Sequence, residues 1–271
     1  MLKRRLIPVI LLRNGVIVQS KGFKRYQMLG NPTTVVRRMS DWAADELLYL
    51  DISPDAVYDL RRDDLKSENR GTIVEIIKDV AEHAFMPLTF GGGIRTMDDV
   101  LVRIVSGADK VTVNTEALAR PEFLSEISRE FGSQCLVSSI DVVRREDGWH
   151  EVYTTRGREP TGRNVIDWVA EVEQRGAGEI FLNSIDRDGR GQGYDLELIE
   201  AVADRVSIPV IACGGVGEWD HLAEGIEAGA SAVAAANIFH YTENSVRNAK
   251  RHLVEKGLPV RPFEAVTLSA A

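Results

Sequence analysis

Cysteine is nearly missing from this chain: 271 residues carry two, Cys135 and Cys213, with no CxxC spacing. That excludes a disulfide framework and a zinc ribbon, and because each lies in an apolar run, both are expected as reduced core residues. Long hydrophobic runs are lacking too, since no apolar stretch approaches the roughly 20 residues that span a bilayer. The opening MLKRRLIPVILL is basic and then apolar, but no small-residue cleavage site follows. The expectation is a cytoplasmic protein without membrane contact. Positive charge is in deficit, with a formal net charge of -8, which opposes the clustered Lys and Arg of a nucleic-acid surface. Five histidines, His83, His150, His221, His240 and His252, show no metal-triad spacing. With no haem or dinucleotide motif either, no metal and no cofactor are expected. Only His240, after AAANIF, stands near a strand end, in a structural or a catalytic role.

What the chain does have is alternation. Short apolar runs alternate with amphipathic stretches, the pattern of parallel strands joined by crossover helices. Eight strand candidates occur, at 6–12, 46–52, 87–92, 110–114, 135–141, 179–186, 209–215 and 232–237. Helices are expected at 72–84, 96–106, 121–131, 163–175, 195–205 and 218–228, several opened by Thr, Asp or Pro. Eight units in one series predict a single-domain (β/α)8 TIM barrel over 1–271, with a core over about 1–261 and a tail at 262–271. A doubly wound open sheet is the competing architecture. Internal similarity favours closure: FGGGIRTMDDVLVRIVSGADKV (90–111) matches ACGGVGEWDHLAEGIEAGASAV (212–233) at an offset of 122 residues. ADELLYLDI (44–52) likewise echoes AGEIFLNSI (177–185), so the barrel reads as a half-barrel duplication.

Ligand sites of such barrels lie at the C-terminal ends of the strands. There the third strand runs into Gly91, Gly92 and Gly93, and the seventh into Gly214 and Gly215. Glycines let backbone N–H groups approach an anion, so each half can present a phosphate cradle, extended by Asn114, Thr115, Gly189 and Asn237. The plain alternative is tight turns. Carboxylates end other strands: Asp51, Asp141, Asp186 and Asp188. These suit proton transfer or a ligand hydroxyl, or else they cap the following helix. At the opposite end, Arg5, Glu46, Lys110 and Glu179 open the first, second, fourth and sixth strands. Two cations and two anions can meet there as a ring, serving either stability or as a gate over an axial channel.

Nearly the whole chain resembles a known family, the cyclase subunit of imidazole glycerol phosphate synthase. The resemblance is carried in order by ADELLYLDI, GGGIR, GADKVTVNT, FGSQCLVSSID, GAGEIFLNSIDRDGRGQGYD, IPVIACGGVG and AAANIFHY. It implies a barrel that takes ammonia from a class I glutaminase at its N-terminal face, guides it along the axis, and uses it on a bis-phosphate at the C-terminal face. Arg5, Glu46, Lys110 and Glu179 fall on the family's gate positions, which favours the channel. Asp141 falls on one of the family's two acid–base aspartates.

Departures accompany these matches. The second aspartate position is Leu11, which cannot transfer a proton; a loop lysine is replaced by Gln19, and a phosphate-site serine by Asn237. The loop QSKGFKRYQMLGNP (19–32) instead offers Lys21, Lys24 and Arg25 beside Phe23 and Tyr26, suited to a phosphorylated or nucleotide-sugar ligand. PDAVYDLRRDDLKSENRG (54–71) lengthens the loop after the second strand. Together these are similar to paralogs of surface-polysaccharide (lipopolysaccharide, O-antigen type) biosynthesis, which work with a glutaminase and a sugar amidotransferase to form acetamidino sugars. The expectation is therefore a diverged ammonia-delivering subunit whose own cyclase activity is lost or altered. Genuine imidazole glycerol phosphate synthesis and a non-catalytic phosphometabolite-binding scaffold are the alternatives. The related isomerase barrels of histidine synthesis use carboxylates at the ends of the first and fifth strands, so Leu11 counts against them.

Overall fold

The computed structural model describes residues 3–59, 70–240 and 245–262. Most of the lengthened 54–71 loop and nearly all of the tail expected at 262–271 lie outside the described residues. Strands β1 (Arg5–Arg13), β2 (Val16–Lys21) and β3 (Arg25–Gly30) precede helix α1 (Pro32–Asp41). Then come β4 (Leu47–Asp51), α2 (Ile73–Ala81), β5 (Leu88–Gly91), α3 (Met97–Val105), β6 (Lys110–Val113), α4 (Thr115–Ala119) and α5 (Glu122–Phe131). The second half contains β7 (Leu136–Arg144), β8 (His150–Thr154), β9 (Glu159–Asn164), α6 (Val165–Gln174) and β10 (Glu179–Ser184). It ends with α7 (Leu196–Arg205), β11 (Val210–Cys213), α8 (Trp219–Glu227), β12 (Ala232–Ala235) and α9 (Val246–Glu255).

Eight of the strands pair in parallel in the order β1, β4, β5, β6, β7, β10, β11 and β12, and β12 returns to β1 through Arg5–Ala232 and Leu6–Val233. The sheet is thus closed into a (β/α)8 TIM barrel, and the open-sheet alternative is ruled out. The strands are apolar on both faces because both faces are covered. Along β1, Leu6, Ile10 and Leu12 join the core under the helices, while Ile7 and Val9 join the lumen cluster with Leu48, Val137, Phe181, Ile211, Ala232 and Ala234. Large Phe181 and small alanines fill the lumen together, so it is a packed interior.

The duplication is visible as architecture. β1 carries the antiparallel hairpin β2–β3, pairing Leu11 with Val18, and β7 carries β8–β9, pairing Asp141 with Tyr153. This corrects the expectation of a loop at 19–32: most of that segment is hairpin. Its half-exposed, polar strands hide the alternation that marks a buried strand, and the reversal is made by Gly22 (φ 60°) and Phe23 (φ 55°). Both cysteines are free thiols: Cys213 ends β11 and packs against the lumen cluster, whereas Cys135, expected in a strand, is partly buried in a 3-10 turn (Ser133–Cys135) ahead of β7.

A buried ion pair fastens the last helix to the barrel floor. Lys250 of α9, 1% exposed, donates from Nζ to Asp45 Oδ1 and to the carbonyl of Ala43, both at 2.6 Å, and Asp45 Oδ2 accepts from the Leu6 N–H at 2.9 Å. Burial lowers the Lys250 ammonium pKa, and Asp45 opposes that shift. Lys250→Met should therefore strand a buried carboxylate and cost about 3–5 kcal/mol in urea unfolding. Asp45→Asn added to Lys250→Met should recover part of that loss, and a single-mutant loss near zero would contradict the pairing.

Candidate functional site

At the N-terminal end of the barrel, the four charged residues that open strands close into one ring. Arg5 Nη1 donates to Glu46 Oε2 at 2.8 Å and to Glu179 Oε2 at 3.2 Å; Lys110 Nζ reaches Glu46 Oε2 at 3.0 Å and Glu179 Oε2 at 3.2 Å. The Thr89 hydroxyl donates to Glu46 Oε1 at 2.7 Å. Burial alone would lower the Arg5 guanidinium pKa, but Glu179 and Glu46 outweigh it and hold it above its ordinary value. Each cation thus lies between two carboxylates and each carboxylate between two cations. Period-two alternation on β6 places Thr112 and Asn114 on the same face as Lys110, leading inward from the ring. The Thr112 hydroxyl is buried without a hydrogen-bond partner.

At the other end lies Asp141, on β7, 7% exposed. Asn114 donates to its Oδ2 at 2.8 Å and Asn183 to its Oδ1 at 3.3 Å. Burial pushes its carboxyl up to about 7, with Asp188 adding to the rise and the two asparagines opposing it. A carboxyl poised there can take or give a proton at neutral pH. Asn183 was missed by the sequence reading, although its place near the end of β10, two residues beyond inward-facing Phe181, gave a signal. Leu11, on the matching strand of the other half, packs against the lumen cluster beside Leu50 and Cys213. Asp188 is also raised by burial, against hydrogen bonds from Ser20, Phe23 and Gly22.

The two glycine turns are equivalent. Gly92 (φ 94°) and Gly214 (φ 98°) sit so close to the preceding barrel strand that a Cβ would lie 2.0 Å from the Asp51 carbonyl oxygen and 2.6 Å from that of Ser184. Gly93 and Gly215 follow, also at positive φ. Thr115 begins α4, and Asn114, its N-cap, spends its side-chain amide on Asp141. Asp51 does not cap a helix: it accepts from Ser53 N–H at 2.9 Å and from the Tyr58 hydroxyl at 2.7 Å. Asp186 accepts from the Arg144 N–H at 2.8 Å, and α7 is capped by Asp195 instead of either earlier aspartate. His240 is largely buried, and burial first, then Arg38, lowers its pKa to about 4, so the imidazole is neutral.

The mouth is roofed by the first hairpin. Asp188 Oδ2 accepts from the Ser20 hydroxyl at 2.8 Å and the Phe23 N–H at 3.2 Å, and Asn237 Nδ2 donates to the Ser20 carbonyl at 2.7 Å. Gly189 touches the same segment, where a Cβ would meet the Ser20 carbonyl at 2.5 Å. Asp188, Gly189 and Asn237 therefore hold the β2–β3 hairpin over the site. Lys21, Lys24 and Arg25 lie on that hairpin and line a cleft shared with the β8–β9 turn.

A family described as histidine biosynthesis protein matches residues 5–245. The imidazole glycerol phosphate synthase subunit HisF of Gluconacetobacter diazotrophicus is 44% identical over 261 residues, covering 96% of this chain and 97% of that protein. This overturns the expectation of a paralog diverged toward acetamidino sugars and surface polysaccharide, and with it the sugar amidotransferase partner. Leu11 packs against the lumen cluster, and with Gln19 and Asn237 it is a local departure within a chain that matches a HisF subunit over 96% of its length.

Asp141 carries a sign-specific consequence. Its folded pKa lies above the ordinary carboxylate value, so between about pH 4 and 7 the folded state binds the extra proton and stability falls as pH rises. Asp141→Asn should raise stability at pH 8 by on the order of 2–4 kcal/mol, with the gain vanishing near pH 4. Equal unfolding midpoints of the two proteins at pH 8 would contradict the burial argument.

Proposed function

Because the chain belongs to the histidine biosynthesis protein family, we propose that it is the barrel subunit of an imidazole glycerol phosphate synthase, taking ammonia from a class I glutaminase docked on its N-terminal face. The observation that carries this reading is the placement of the charged ring and Asp141 at opposite ends of one apolar lumen. A lumen lined by Ile7, Val9, Leu48, Val137 and Phe181 penalises an ammonium ion by its desolvation but admits neutral ammonia. The ring lets the barrel close its floor without leaving an unpaired charge, and displacing one member opens the axis. The Thr112 hydroxyl offers a polar stop between Lys110 and Asn114.

At the mouth, the two phosphates of a bis-phosphate substrate are assigned to the two halves. Gly92, Gly93, Asn114 and Thr115 serve one, and Gly189, Gly214, Gly215 and Asn237 the other. Asp51 and Asp186 stand at the rim for hydroxyl groups. Asp141 transfers protons to and from the ring that forms. Leu11 removes the usual partner, and the second carboxyl is Asp188, whose charge is felt at Asp141.

The test is turnover of the purified barrel with the imidazole glycerol phosphate precursor and saturating ammonium salt. Activity is expected, with Asp141→Asn and Asp188→Asn each lowering kcat by about 10²-fold or more. Absence of wild-type turnover, above all if Leu11→Asp creates it, would refute the reading. In the complex with glutaminase, Lys110→Met should impair glutamine-dependent turnover more than ammonium-supplied turnover. Equal losses would remove the channel from the account.

A further inference from the structure

The two hairpins leave between them a cleft of about 1090 Å³ that none of the cradle residues lines. Its first wall, from β1 and the β2–β3 hairpin, presents Arg13, Lys21, Lys24 and Arg25. The second wall, the β8–β9 turn, presents Arg156 and Arg158, and the segment after β10 adds Arg190. Among the described residues, Asp186 is the lone carboxylate there, and it already accepts from the Arg144 N–H. Among the described residues, none of these seven cations forms an ion pair, whereas the neighbouring Arg144, Arg145 and Arg163 pair with Glu197, Glu151 and Glu171. In a chain of net charge -8, seven unpaired cations facing one cavity are a local field that repels itself and concentrates anions.

Support from the fold keeps this field in place. Arg156 Nη2 donates to the Ser53 carbonyl at 2.9 Å, and the Arg13 guanidinium lies 4.9 Å from the centre of the Tyr26 ring. The turn tips abut, since a Cβ on Gly157 would sit 2.7 Å from the Phe23 ring and 2.8 Å from Ile185. Non-glycine residues on both tips, Phe23, Thr155 and Arg156, adopt left-handed backbone, a conformation kept where surrounding structure imposes it.

We propose that this cleft is a binding site for a small anion carrying two or more phosphoryl groups, separate from the glycine cradles of the substrate. A single phosphoryl group is satisfied by two or three of these donors, so seven call for more. The volume suits a small molecule. Such phosphoryl chemistry comes from inorganic pyrophosphate or from a nucleotide, and Tyr153 in the wall offers a face for a base. The site goes beyond the proposed synthase activity, and its test reads binding alone, so either can fail without the other.

The experiment is calorimetric titration of the full chain with pyrophosphate and with ADP at physiological ionic strength. Wild type is expected to bind, and Arg158→Gln with Arg190→Gln should weaken binding roughly tenfold or more. Lys24→Gln with Arg25→Gln, on the other wall, should do the same, which keeps the test alive if one variant pair fails to fold. Thr115→Ala, in a cradle, should leave the affinity within about twofold. Equal affinity for the two ligands would support recognition of phosphoryl groups alone, and tighter ADP binding would add the nucleoside. No binding of either ligand, or binding that neither variant pair weakens, would overturn the proposal.

Discussion

Glu46 is a carboxylate 2% exposed on the floor of a closed barrel, and much of the surrounding architecture can be understood from the need to keep it charged. It takes Arg5, Lys110 and Thr89 as partners, and they come from β1, β6 and β5. Those strands follow one another beside β4 in the sheet, and closure of the sheet brings the far side of the ring to meet them. Glu179 completes the alternation from the opposite half. Replacing such a ring with apolar side chains is often energetically neutral or favourable, and the proposed channel would give the charged floor a use besides stability.

Polarity then changes along the axis in a definite order. Charged residues form the floor, mainly apolar side chains fill the lumen together with the unpaired hydroxyl of Thr112, and Asp141 waits beyond them with its ionisation delayed to neutrality. Desolvation is the common cause. The same dry interior that raises Asp141 excludes charged solutes from the lumen. At the mouth, the backbone glycines come close enough to neighbouring strands to leave N–H groups without intervening side chains. Above them, Asp188 and Asn237 hydrogen-bond to the roof and Gly189 lets it approach closely, linking the second half of the barrel to the hairpin of the first.

Eight strands and six helices were legible because buried parallel strands are continuous apolar runs and several of their helices begin with Thr, Asp or Pro. The glycine pairs were legible through duplication. The hairpins were not. Strands such as RYQMLG and EPTGRN are half-exposed and polar, with pairing partners that local pattern does not reveal. Leu11 misled in another way: with Gln19, Asn237 and the two altered loops it suggested a different pathway, while 44% identity over 96% of the chain points to a histidine-pathway subunit. A single residue reports on its own chemistry, and its neighbours in space decide whether another group takes over its task.

Local order in the chain was sufficient for the barrel, its duplication and the polarity of its two ends, because those follow from periodicities of two and about three and a half residues. Tertiary structure decided what each polar residue meets. Asp141 between Asn114 and Asn183, Asp188 under Ser20, and seven cations around one cleft are contacts between residues far apart in sequence. Their strength depends on distance and on exclusion of water, and neither exists until the sheet has closed.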